Sequence, residues 1–224
     1  MTETNALIFG DNDFTTEIEK SIDEHYTSVN VFSLKEGAKN SFDLSDDWDE
    51  LDAKYDVNNC VAFCMLEDMA ENIFLTISLR DAFKDLIIVA LAEDKESENK
   101  LTLAGATRVL PTVETTANVI VEMLVKPIVT KVLHEILYEK SALKIAQIKV
   151  QDHTYFDGKY PADIEWSREH GIIVLSIVHE DMSKEFIYST KAKHHLIKKG
   201  DVFVVVGYEQ DIKDFEKLLG NKCD

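Results

Sequence analysis

Glycine and proline are scarce in this chain: 8 and 3 of 224 residues, against a hydrophobic share of 45%. That composition excludes a low-complexity or disordered chain and leaves ample material for a packed core. Uninterrupted apolar runs fall short of the ~20 residues a membrane helix requires, so no direct membrane insertion is expected. The first residues, Met1-Thr2-Glu3-Thr4-Asn5, carry no basic n-region, and no signal peptide is expected either. Basic residues are also in deficit, 24 Lys and Arg against 42 Asp and Glu, a net charge of −18. A field of that sign repels phosphate backbones and anionic lipid, which excludes nucleic acid as a partner. The three cysteines are Cys60, Cys64 and Cys223. An odd number, two of them in an apolar run, excludes a disulfide framework and reads as buried thiols in a reducing compartment.

What is present is an alternation of elements. Apolar runs at residues 4–9, 29–32, 60–66, 86–92 and 107–110 read as strands. Between them lie helical stretches: a stripe at Phe14, Ile18 and Ile22, a short segment at 47–54, a face of Met69, Ile73, Phe74 and Ile77, a charged helix at 94–104, and a helix at 113–124. Continuous apolar strands that alternate with helices predict a parallel sheet covered on both faces. Residues 1–125 are therefore expected to form a Rossmann-like, doubly wound α/β domain. Pro127 opens an amphipathic helix, predicted over 126–142, whose apolar pairs are Ile128/Val129, Val132/Leu133 and Ile136/Leu137. Short strands at 145–150, 172–178, 185–188 and 202–206, closed by a helix at 211–219, predict a small α+β lobe over 143–224.

In a doubly wound sheet, ligands bind beyond the carboxyl ends of the strands. The first such turn is Gly10-Asp11-Asn12-Asp13-Phe14-Thr15. A dinucleotide fingerprint needs three glycines so that backbone and pyrophosphate can approach. Here Asn12 and Thr15 stand in place of the second and third. The second strand ends Phe32-Ser33-Leu34-Lys35, with no acid to hold ribose hydroxyls, and Glu36 lies too far along. NAD is therefore not expected, while an adenine nucleotide, a cation or an empty site stay open. Asp11, Asp13, Glu67 and Asp68 are candidates to converge on a cation. The acidic stretch Asp43, Asp46, Asp47, Asp49, Glu50 and Asp52 lacks the spacing and central glycine of a calcium loop and reads as a solvated face. A receiver fold would need an aspartate after strand three and a lysine after strand five; Glu67 and Pro111 stand there instead. His194 and His195, adjacent on an extended segment, face opposite ways and do not form a joint metal site. Trp48 and Trp166 read as packing residues. Hydrolase and metalloprotease signatures are absent, which favours a non-enzyme.

Three segments carry a resemblance. Met65-Leu66-Glu67-Asp68-Met69-Ala70-Glu71-Asn72 is similar to the turn after strand three of RCK domains, the regulators of potassium conductance with TrkA-like N- and C-lobes. Leu101-Thr102-Leu103-Ala104-Gly105-Ala106-Thr107-Arg108-Val109-Leu110-Pro111 resembles that family's segment before the last N-lobe helix. Leu196 to Gly207, with Gly200-Asp201 ahead of an apolar strand, is similar to the end of its C-lobe. The resemblance implies a cytoplasmic, ligand-sensing regulator of a membrane-embedded potassium channel or transporter subunit. It implies homodimers that assemble into octameric rings, with Ile128, Val129, Val132, Leu133, Ile136 and Leu137 at the dimer interface. The ligand residues carried over are Gly10, Asp11, Asn12, Asp13, Ser33, Glu67 and Asp68. The alternatives are an NAD(P)-dependent oxidoreductase on the same sheet and an assembly module with a vestigial nucleotide site.

Overall fold

The computed structural model describes residues 5–22, 25–35, 37, 40–45, 47–138, 141–152, 154–179, 184–185 and 196–220. Glu36, Asp46, residues 186–188 of the expected strand, His194, His195 and Cys223 lie outside them. The chain divides into two compact units, one ending at Val121 and the other starting at Glu122.

The first unit holds strands β1 (Asn5–Phe9), β2 (Ser28–Phe32), β3 (Val61–Cys64), β4 (Ile87–Ala92) and β5 (Arg108–Pro111), all parallel, in the order β2-β1-β3-β4-β5. Phe9 aligns with Phe32 and Cys64, and Cys64 with Ala90, so the strands end along a common edge. Ala6, Leu7, Ile8 and Phe9 are fully buried, as a two-sided sheet demands. On one face Phe9 stacks on Phe32 at 5.1 Å and meets Phe42 and Trp48 edge-on at 5.2 and 5.8 Å. Both expected Rossmann-like features, the parallel sheet and the flanking helices, are thus present.

Helices α1 (Asp13–Ile22), α2 (Asp49–Tyr55), α3 (Met69–Ala82), α4 (Lys95–Leu103) and α5 (Thr112–Val125) occupy the predicted stretches, but two faces differ from expectation. In α1, Phe14 is 56% exposed and Thr15 is the buried residue. The cause is the helix start: Asn12 and Thr15 bond each other reciprocally and turn Thr15 inward. In α3 the buried face is Asn72, Leu75, Thr76 and Leu79, while Phe74 and Ile77 are about half exposed. Asp68 caps this helix by accepting from the Ala70 and Glu71 amides, and Asn72 reaches inward to strand backbone, which fixes the phase.

Arg80 organises the far end of α3. Its guanidinium donates to the carbonyls of Phe83, Lys84, Leu86 and Gly105 and to Thr107 Oγ1. Gly105, at φ 102°, permits this: a Cβ there would stand 2.4 Å from Arg80 Cγ. The Ala-Gly-Ala segment of the resemblance is therefore a seat for an arginine. Trp48, buried as expected, donates from Nε1 to Ser78 Oγ at 2.8 Å. Cys60 and Cys64 are free and buried. Burial pushes both thiols up, Cys64 to about 12.

The second unit contains α6 (Pro127–Tyr138) and a four-stranded antiparallel sheet of β6 (Leu143–Lys149), β7 (Ile172–Val178), β8 (Lys184–Glu185) and β9 (Val202–Tyr208), ordered β6-β9-β7-β8. Helix α8 (Glu209–Leu218) closes it through Ile212 and Phe215. A short helix the sequence reading did not foresee, α7 (Trp166–His170), delivers Trp166 into a core with Phe156, Phe203 and Phe215. His179 and Asp201 form a buried pair at 3.0 Å. Among the described residues no helix is long and apolar enough to cross a membrane. Helices α5 and α6 bury no residue, despite their apolar composition.

Candidate functional site

At the carboxyl edge of the parallel sheet, where the chain leaves β1 and β3 toward opposite sides, lies a cleft of about 310 Å³. This is the switch point at which such sheets bind small molecules. Its walls come from the starts of α1 and α3 and from the residues that follow β4 and β5.

Gly10 and Asn12 build the first wall. A Cβ on Gly10 would stand 2.6 Å from the Met65 carbonyl oxygen and 2.8 Å from Thr15 Cγ2, so glycine here lets β1 turn against β3. Asn12 donates from Nδ2 to the Met65 oxygen at 2.6 Å, and its Oδ1 accepts the Thr15 amide at 3.1 Å. Asn72 braces the second wall from behind the lining. Fully buried, it accepts the Leu66 amide and donates to the Leu91 carbonyl, both at 3.1 Å, and so ties together the ends of β3 and β4. At the third wall Thr112 Oγ1 donates to the Ala92 carbonyl.

Of the expected ligand residues, Asn12, Asp13 and Glu67 line the cleft. The four acids do not share one site. Asp11 turns to Lys35, at 2.6 Å, and the ammonium holds its carboxyl below the ordinary range, just as Asp11 raises Lys35. Asp68 is consumed as the α3 cap. Ser33 accepts the Lys35 amide and lies 3.5 Å from Asp11, so it shapes the end of β2. Among the described residues no group of three or more His, Cys, Asp or Glu is placed to hold a metal ion. Asp43, Asp47 and Asp52 accept local backbone amides. Glu93 and Thr112 complete the lining and were missed. Their positions directly after strands four and five were the available signal.

One unit thus carries a strand-end cleft beside a parallel sheet, and the other a small antiparallel sheet. Residues 51–112 match the TrkA-N domain model and residues 145–220 the TrkA-C domain model, so the chain carries both domains of the RCK resemblance. "Probable potassium channel protein 2" of Methanocaldococcus jannaschii is 27% identical over 159 residues, which is 68% of this chain and 45% of that protein. The chain thus spans less than half the length of the curated relative it matches. Among solved structures, the human SLO3 gating ring matches 99% of this chain and 46% of its own at a TM-score of 0.64 and 11% identity, which establishes the fold. The GsuK RCK domain matches over 98% of this chain and 47% of its own, with a TM-score of 0.49 and 16% identity.

Proposed function

We propose that this chain is a cytoplasmic, ligand-sensing regulator of a potassium channel or transporter and not an enzyme. The observation that carries the reading is the pairing of TrkA-N and TrkA-C domains in one chain, next to 27% identity with a probable potassium channel over 68% of this chain. The strand-end cleft supplies a place for the sensed small molecule. The apolar face of α6 supplies a surface for a homodimer, and dimers would build the ring that acts on the membrane-embedded partner. An oxidoreductase would need a phosphate cradle, and Asn12 stands in that turn; its ribose contact would fall to a carboxylate where Ser33 and Lys35 stand. The experiment is potassium uptake in source cells lacking this chain, complemented with the wild type or with Asn72→Ala, which loosens the cleft. Uptake that loses its regulation without the chain, and regains it with the wild type but not the variant, supports the reading. Uptake unchanged by removing the chain overturns it.

A further inference from the structure

The chemistry of the cleft narrows what it can hold. Building on its reading as the sensor's ligand site, we propose that it selects a phosphate-free ligand of nucleoside size and excludes nucleoside diphosphates and dinucleotides, with Asn12 as the excluding residue. In doubly wound sheets the phosphates sit where a glycine turn brings the first helix amides within reach. Here the Asn12 carboxamide spans that gap. It bonds the Met65 carbonyl at 2.6 Å on one side and the Thr15 amide at 3.1 Å on the other, while its own amide donates to Thr15 Oγ1 at 3.0 Å. Admitting a pyrophosphate would break this set.

Charge acts in the same direction. The ionisable groups that line the cleft are Asp13, Glu67 and Glu93, all carboxylates. The nearby ammonium, Lys35, is held on Asp11 at 2.6 Å and is not part of the lining. A phosphate would meet like charges without a lining counter-ion. The volume, about 310 Å³, lies at the lower end of the ~300–1,000 Å³ typical of ligand pockets, which suits one ring system and not a dinucleotide. The rest of the wall, Phe14, Met69 and Leu91, offers an apolar surface to a planar ring.

The test is calorimetric titration of the full chain with adenosine, AMP, ADP and NAD. Adenosine should bind most tightly, AMP roughly tenfold less, and ADP and NAD less again. Asn12→Gly should raise the affinity of ADP relative to adenosine roughly tenfold or more. Because Asn12 also starts α1, circular dichroism must show that this variant folds. The double variant Asp13→Asn, Glu67→Gln keeps the turn intact and should raise the AMP-to-adenosine ratio in the same sense. Wild-type affinity for ADP or NAD above that for adenosine overturns the selection and leaves the cleft as the sensor's site. Binding of none of the four overturns the inference as well, and the uptake experiment then judges the regulatory reading independently.

Discussion

His170 is one side chain from which a pH dependence of the second unit's stability is expected. Its ring packs edge-on against Phe156 at 5.2 Å and lies 6.1 Å from Trp166, with its side chain 12% exposed. Burial holds its pKa below the ordinary histidine value; Lys159 reinforces the shift and Glu169 opposes it. The folded unit therefore prefers neutral imidazole. Above pH ~6.5 both folded and unfolded chains carry it neutral, and stability is insensitive to it. As pH falls below that value the unfolded chain takes up a proton that the folded one resists, and stability declines until the folded-state pKa is passed. Urea unfolding followed by Trp166 fluorescence, in a Trp48→Phe background, should show the second unit losing stability from pH 7.5 toward pH 5. His170→Phe should flatten that slope. An unchanged slope in the variant would assign the dependence to other groups.

At the scale of elements, helix α6 presents its apolar residues outward. Ile128 is 78% exposed, and Val129, Val132, Leu133 and Leu137 are each about half exposed. An amphipathic helix gains its stability by burying such a face, so a second copy of the chain is the expected cover. Sedimentation velocity should find the wild type dimeric or larger at micromolar concentration. Val132→Glu with Leu133→Glu should weaken association roughly tenfold or more, since it places charge in an apolar contact. Retained helicity by circular dichroism would separate lost assembly from lost folding, and a monomeric wild type would sink the idea. The extent to which such elements can be read from sequence depends on what sets their phase. The α6 pairs repeat every four residues, and that period alone locates the helix. In α3 the period misleads, because Asn72 is drawn in by hydrogen bonds to the ends of β3 and β4 while Phe74 and Ile77 remain outside. The continuous apolar runs of β1, β3 and β4 made the parallel sheet legible. The cleft was half legible: Asn12, Asp13 and Glu67 follow strands one and three, whereas Glu93 and Thr112 join them only once the strand order brings β4 and β5 alongside. Arg80 gave no sign, because four of its five acceptors are backbone carbonyls, which have no letter in a sequence.

For the whole molecule the dominant physical fact is the charge, −18 on 224 residues. Many exposed carboxylates already have a lysine beside them, as in Lys100–Glu96, Lys126–Glu122 and Lys213–Glu209, and pairs of this kind contribute little each. With 42 acidic residues against 24 basic ones, most of the surplus cannot be paired. Self-repulsion of that surplus opposes the compact state, and it weakens as the screening length shrinks from ~10 Å at 0.1 M salt to ~3 Å at 1 M. Melting temperature should therefore rise with ionic strength. A relief of ~1 kcal/mol corresponds to roughly 2–4 °C in a chain of this size. The proposed role in potassium regulation invites the further question of whether the ion itself is bound. Thermal melts in matched series of potassium, sodium and tetramethylammonium chloride separate the two effects, since screening depends on ionic strength and not on which monovalent cation supplies it. Equal shifts in the three series are the expected result, and they would assign the stabilisation to the acidic surface. A larger shift in potassium chloride alone would instead require a selective site, because diffuse screening cannot distinguish that ion from sodium.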